Sequence, residues 1–335
     1  KRVNAAYGGP RTGGRSPRIN IGEAVLEGSR FSYIDQEKDP VKQGFNYNQF
    51  IVNIDEAQLQ NFLILGDTTQ FKVNTLLATD EDTRFSIKHL STFFRLSQRS
   101  MEFIGLDMQA GQSTISDTVV FTFNGQRELN EFVSKVNIHA NLKNTIILPK
   151  DLALFAPQVS RLRLPISLTG VFNGRIDDFK FTQMEIETGH TVLRGSVDME
   201  GLPDITETFI ILGLQDSRFD FEDFSFLFKG QVLKRLLPIG SLDLQGEFLG
   251  YPTDFVAKGE FVGKLGRITS DINFKVNEEN FDKSEYSGKL SLYDFALGTY
   301  LNDTTNFQQV NLSGKVKGSG LTLKTADFIL NGKIN

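Results

Sequence analysis

Imidazole can serve as a general base or as a zinc ligand, so the three histidines are the first residues to weigh. His89, His139 and His190 stand 50 and 51 residues apart, which is not metal-ligand spacing. His139 also falls among the polar members of an alternating segment. The chain has no cysteine, which removes a thiolate nucleophile, a disulfide framework and any zinc site built on Cys. There is no GxSxG elbow, P-loop or HExxH. Gly318-Ser-Gly320 is an isolated GxG, and the acids Asp177-Asp178 and Asp80-Glu81-Asp82 stand at expected turns as solvated loop residues. The expectation is a protein that is no enzyme and that uses neither metal nor cofactor.

What the elements have to position is an apolar surface. Thirty of the 335 residues are Phe, against 4 Met and no Trp, and so many large stiff rings need cover. The dominant pattern from residue 19 onward has a period of two. Val136, Ile138, Ala140 and Leu142 alternate with Lys135, Asn137, His139, Asn141 and Lys143. Leu162, Leu164, Ile166 and Leu168 alternate with Arg161, Arg163, Ser167 and Thr169; Ile272, Phe274 and Val276 alternate with Asp271, Asn273 and Lys275. The same pattern runs through Phe71/Val73/Thr75/Leu77, Phe224/Phe226/Phe228, Phe255/Ala257/Phe261 and Leu312/Val316. Such alternation puts one face of each strand on apolar matter and the other in water, as antiparallel sheets do. Turn signals separate the strands at Gly66-Asp67, Asn124-Gly125, Gly250-Tyr-Pro252 and Asn331-Gly332. Short helices are expected at Ile87–Ser97, Pro149–Val159 and Gly230–Leu237, as plugs or caps on a sheet.

The strands also repeat. Leu168-x-Gly170-x-Phe172-x-Gly174, followed by Asp178-Phe179, returns 76 residues later as Leu244-x-Gly246-x-Phe248-x-Gly250, followed by Asp254-Phe255. A weaker echo is Leu312-x-Gly314-x-Val316-x-Gly318. A fixed period predicts stacked units. The repeat glycines Gly170, Gly174, Gly246 and Gly250 share the face of their Leu and Phe neighbours. There they let the sheet bend, leave room in a cavity, or sit in bulges.

Charge and ends complete the reading. A net charge of −5 argues against a nucleic-acid partner, and no run of about 18 apolar residues is present to cross a bilayer. Residues 1–18 carry Lys1, Arg2, Arg11, Arg15 and Arg18 without an acid among paired glycines, predicting a basic, Gly-rich linker or disordered segment. Residues 19–335 show no break in composition and are expected to form one repetitive β-groove belonging to a longer chain. The fold class expected is all-β: a long, twisted, mostly antiparallel sheet curled into an open hydrophobic groove, with a few short helices. Its lining is assigned to Val136, Ile138, Ala140, Leu142, Leu162, Leu164, Ile166, Leu168, Phe172, Leu244, Phe248, Phe255, Ala257, Phe261, Ile272, Phe274 and Val276.

Three stretches resemble TamB-like proteins of the AsmA superfamily. They are Val136–Leu142 with Pro149-Lys-Asp151-Leu152-Ala-Leu154-Phe155-Ala-Pro157; Leu168–Phe179 with Gly201-Leu-Pro-Asp204; and Gly246–Asp271 leading into Tyr286–Gly298. The likeness covers roughly residues 20–335. It implies a "β-taco" section of a periplasmic bridge in a Gram-negative envelope, carrying phospholipids as cargo between inner and outer membrane. It further implies an inner-membrane anchor outside this chain and an Omp85-family, TamA-like barrel as partner. The alternative is a structural scaffold or assembly factor for outer-membrane proteins, whose sheet edges accept a partner strand.

Overall fold

The computed structural model describes residues 18–334 except 37, 42–43, 156–159, 161, 228–232, 234–235 and 321–324. Short turns between alternating segments force neighbours to pair antiparallel, and the chain is one long meander. Its first half holds β1 Arg18–Ile34, β2 Gln49–Leu65, β3 Thr68–Asp80, β4 Ser86–Leu96, β5 Ser100–Ala110, β6 Ser113–Thr122, β7 Asn137–Ile147 and β8 Ile166–Arg175. There follow β9 Asp178–Thr188, β10 Thr191–Glu200, β11 Phe209–Asp220, β12 Ser241–Tyr251 and β13 Asp254–Gly263. The last four are β14 Gly266–Lys275, β15 Glu285–Phe295, β16 Val310–Ser319 and β17 Asp327–Ile334. Each strand pairs antiparallel with the next. The 17-stranded sheet does not close into a barrel. At about 4.8 Å per spacing, it extends about 77 Å across its strands. The expected class, a curled antiparallel sheet forming an open groove, is the architecture observed.

The curl has a local cause. β5, β7, β9 and β11 each carry a bulge whose extra residue is left-handed: Gly105, Asn144, Gln183 and Asp216. A bulge bends its strand and increases local twist, so a line of them creases the sheet lengthwise. Glycines on the intervening strands, Gly170, Gly195 and Gly246, stand beside these bulges. At Gly246, φ is +157°, and a Cβ would run into the carbonyl oxygen of Lys258 on β13. The line is interrupted there: β12, β13 and β14 pair without a register shift, and the next left-handed bulge is at Asp294 on β15.

Several expected elements fall differently. Ile87–Ser97 is not a helix: residues 86–96 form β4. Leu162 and Leu164 precede β8, and Phe224 and Phe226 lie in a turn and a 3₁₀ turn, not in a strand. Alternation in β3 shifts after Val73, so Leu76 packs inward while Leu77 pairs with Glu56. Asn331-Gly332 is no turn but part of β17, with Gly332 opposite Gly314. Fully described α-helices lie only in the connections: α1 Phe132–Lys135, α2 Pro149–Leu152 and α3 Leu297–Leu301. The expected helix at Pro149–Val159 is thus one turn, with 156–159 outside the described residues, as is most of Gly230–Leu237. The basic segment also lies outside them except for Arg18, which opens β1.

Candidate functional site: the inner face of the sheet

Cross-strand partners in an antiparallel pair share a face, so the register traces rows of side chains along the molecule. One row passes Phe94, Phe103, Val119, Ala140, Phe172, Phe181 and Val197, then Leu212, Phe248, Ala257, Ile272, Gly288, Val316 and Leu330. The adjacent row passes Phe121, Ile138, Gly174, Phe179, Met199, Ile210, Gly250, Phe255, Phe274, Tyr286, Gly318 and Phe328. From β7 to β17 no Asp, Glu, Lys or Arg of the described strands falls on this face. Charges sit on the opposite one, in cross-strand pairs such as Lys180–Asp198 (2.6 Å) and Arg218–Asp243 (2.8 Å).

The sequence repeat falls into these rows. Phe172, Phe248 and Val316 occupy the first row; Gly174, Gly250 and Gly318 occupy the second. Each copy sits on every fourth strand, β8, β12 and β16. The space above the second-row glycines is not empty. Phe179 and Phe255, directly opposite Gly174 and Gly250, stack on Phe172 and Phe248 at centroid distances of 4.6 and 4.7 Å. At Gly174 a Cβ would strike the carbonyl oxygen of Asp178. Close backbone approach, rather than cavity space, requires that glycine.

The repeat extends to the connections. Asp151, in the β7–β8 connection, accepts hydrogen bonds from Gln112 N (2.7 Å) and Ser113 Oγ (2.8 Å) and so holds the β5–β6 turn. Four strands later Asp223 accepts from His190 N, Thr191 N and Thr191 Oγ at 2.8–2.9 Å and holds the β9–β10 turn. In the third unit Ala296 N donates to Leu265 O in the β13–β14 turn.

Thirteen of the seventeen expected lining residues share the inner face. They are Ile138, Ala140 and Leu142 on β7; Ile166, Leu168 and Phe172 on β8; Leu244 and Phe248 on β12; Phe255, Ala257 and Phe261 on β13; and Ile272 and Phe274 on β14. The other four do not line it from strands. Val136 is fully buried beside α1, Leu162 and Leu164 lie in the β7–β8 connection, and Val276 follows β14, its N–H bonded to Thr253 O. Unforeseen in the sequence was an aromatic file across β2–β6: Phe62, Phe71, Phe94, Phe103 and Phe121 follow one another at 5.0–6.3 Å. Phe132 of α1 ends it, 5.4 Å from Phe121.

Over β12–β14 none of the described residues covers this face. The lining residues of β12–β14 are only half-buried, as expected of one layer with lateral neighbours and no opposing sheet. The accessible surface, 21134 Å², compares with about 13,800 Å² for a compact monomer of 37.6 kDa. The excess of about 7,300 Å² is larger than the roughly 5,900 Å² that all undescribed residues would expose if extended. Burial raises the Tyr286 hydroxyl pKa above its ordinary value, helped by the Asp327 carboxylate.

The histidines are scattered. His89 stands 3.4 Å from Asp107, His139 bonds Asn173, and His190 sits in the β9–β10 turn. Among the described residues no group of three or more His, Asp or Glu is placed to hold a metal, and no helix is long and apolar enough to cross a membrane. No protein-family model matches the chain, and no curated protein or solved structure is significantly similar to it.

Proposed function

We propose that this chain is a section of a TamB-like, AsmA-superfamily bridge that carries phospholipids along its groove between the membranes of a Gram-negative envelope. The observation that supports this most is the uncharged apolar face that runs from β7 to β17 and is only half-buried over β12–β14. Two acyl chains of about 16 carbons expose roughly 24 kcal/mol of apolar surface to water at about 0.8 kcal/mol per CH₂. A trough of Phe, Leu, Ile and Val shields the chains while the headgroup stays wet at the rim. The groove supplies no energy, so the direction of flow comes from elsewhere. In this reading the chain lies in the periplasm, between an inner-membrane anchor outside it and an Omp85-type barrel of the outer membrane.

Mass spectrometry of the purified chain after mild extraction should find bound phospholipid. Ile138→Arg or Phe274→Arg should abolish that lipid and its transfer between vesicles while the sheet stays folded. A lipid-free groove in the wild-type chain counts against the reading. The scaffold reading is favoured by β1 and β17, the first and last described strands, where Ile19 and Phe328 are 46% and 49% exposed. It predicts that proline at Leu26 or Ile329 damages assembly of a partner barrel while Phe274→Arg leaves it intact.

A further inference from the structure

Two long connections meet at one rim of the trough. β2 and β7 are five spacings apart, about 24 Å along the sheet, yet residues 35–48, joining β1 to β2, touch the start of the β7–β8 connection. Phe45 N–H donates to Leu154 O at 2.6 Å, and the Tyr47 hydroxyl donates to Phe155 O at 3.2 Å. The Phe155 ring lies 5.6 Å from Phe45 and 5.4 Å from Phe85 in the β3–β4 turn. With Asp151 holding the β5–β6 turn, this one segment runs back along the rim and ties three hairpins to the one it leaves.

On the strands that the strap ties together, aliphatic side chains of the inner face are buried, while Phe71, Phe94 and Phe103 stay half-buried. Val73, Leu90 and Leu106 are 5–7% exposed and form a packed cluster with Phe71, Phe103 and Val119. Elsewhere the connections reach less far. The described part of the β11–β12 connection holds only the β9–β10 turn, and that of β15–β16 only the β13–β14 turn. Inner-face side chains of β12–β14 stay half-buried, while Phe181 and Met184 on β9 and Val316 on β16 are 3–6% exposed.

We infer that the strap formed by Phe45, Tyr47 and Phe155 is a clasp that keeps the trough shut over β2–β7. Acyl chains pass in and out sideways over β12–β14, where, among the described residues, no clasp spans the rim. This rests on the carriage reading above and adds where cargo gains access. Tyr47 and Phe155 remain 50% and 42% exposed, so the aromatic contacts bury only part of their ring area, and the two hydrogen bonds fix the path of the segment. Without it, the β1–β2 and β3–β4 hairpin ends lose their contacts to the β7–β8 connection, while the β5–β6 end keeps Asp151 and the β6–β7 ladder.

The absence of native cysteine makes the test direct. In the full chain carrying F45C and F155C, oxidation should form the disulfide readily. A phospholipid with a diazirine in one acyl chain, supplied in phosphatidylcholine vesicles, should then label peptides containing Phe248, Phe261 and Ile272 alike in oxidised and reduced protein. Labelling at Phe71 and Phe94 should be at least fivefold weaker in the oxidised form and should rise in F155A. Y47F, which loses only one hydrogen bond, should give a smaller rise and guards against misfolding of F155A. Failure of the disulfide to form overturns the clasp. Equal labelling of both sections in every variant overturns its control of access. A formed disulfide with no labelling anywhere overturns lipid carriage and the access route together, and leaves the clasp as a structural tie.

Discussion

Strands β2–β6 and strands β12–β14 present the same kind of apolar face, but only the first set buries it. In β2–β6 the strands bulge repeatedly, rings follow one another across five strands, and Ala57, Val73 and Ala78 are almost inaccessible. In β12–β14 the ladders are regular, Phe248, Phe255 and Phe274 stack in a file (4.7 and 5.6 Å), and water reaches each ring. The contrast separates two uses of one pattern. Covered, it supplies the stability of a core; uncovered, it leaves apolar surface that a ligand can cover.

The widest gap between the regions should appear when a charge is placed in each. Val73→Asp puts a carboxylate into the packed cluster and should destabilise the chain by about 3–4 kcal/mol, since a buried unpaired charge has no partner there. Ile272→Asp, on the open face, should cost about 1 kcal/mol or less while removing acyl-lipid binding. Urea titration of both variants checks the first difference, and vesicle transfer the second. Equal destabilisation would mean that the open face is covered in solution.

Next in size is the loss of a hairpin cap. Asp223→Ala leaves the N–H groups of His190 and Thr191 without their acceptor and should cost about 1–3 kcal/mol, read as faster hydrogen exchange confined to β9 and β10. Asp151→Ala should do the same at β5–β6 and also release the strap, so exchange should quicken as far as β2. An Asp151 effect limited to its own hairpin would separate the cap from the clasp.

How far the sequence told these regions apart follows from bulges. In β12–β14 period two is unbroken, and Leu244, Phe248, Phe255, Ala257, Phe261, Ile272 and Phe274 were all legible as one face. In β4 the register shifts between Ile87 and His89 and again between Ser91 and Phe93. Those shifts give Leu90, Phe93 and Phe94 helical spacing and hide a strand. Val136, Leu162, Leu164 and Val276 were misplaced for the opposite reason, since alternation runs on past the strand ends into connections. The 76-residue repeat corresponds to four strands of one continuous sheet. The strap left no local signal, because Tyr47 and Phe155 are 108 positions apart.

A smaller effect should come with alkali. Burial raises the Tyr47 hydroxyl pKa above its ordinary 10.0. An acid whose folded pKa is raised gives stability that is complete below the unfolded value and lost as pH climbs through the folded one. The clasp should therefore loosen above about pH 10, seen as quicker reduction of the F45C/F155C disulfide. The ladders of β12–β14, with no tyrosine in that role, set the baseline at each pH, and Tyr47→Phe should flatten the difference.

The smallest change in stability is expected from the largest cut. Residues 178–253 form one four-strand unit, from Asp178 at the start of β9 to the residue before Asp254 at the start of β13. Removing them joins the β8 exit to β13 at an equivalent hairpin. Gly174 then faces Phe255 as it faced Phe179, and Leu168 faces Phe261 as it faced Ile186, so the glycine-to-Phe fit and the inner rows carry across the junction. One mismatch remains: β9 brings the Gln183 bulge beside Gly170, and β13 has none. The shortened chain should keep its strand content and its urea midpoint, since each unit buries its apolar face mainly against its own neighbours. It should also bind less acyl lipid, because one unit of open face is gone while the clasped section is untouched. Collapse of the whole sheet after this deletion would show that the clasped region draws its stability from distant strands, and the division between a covered core and an open groove would fail.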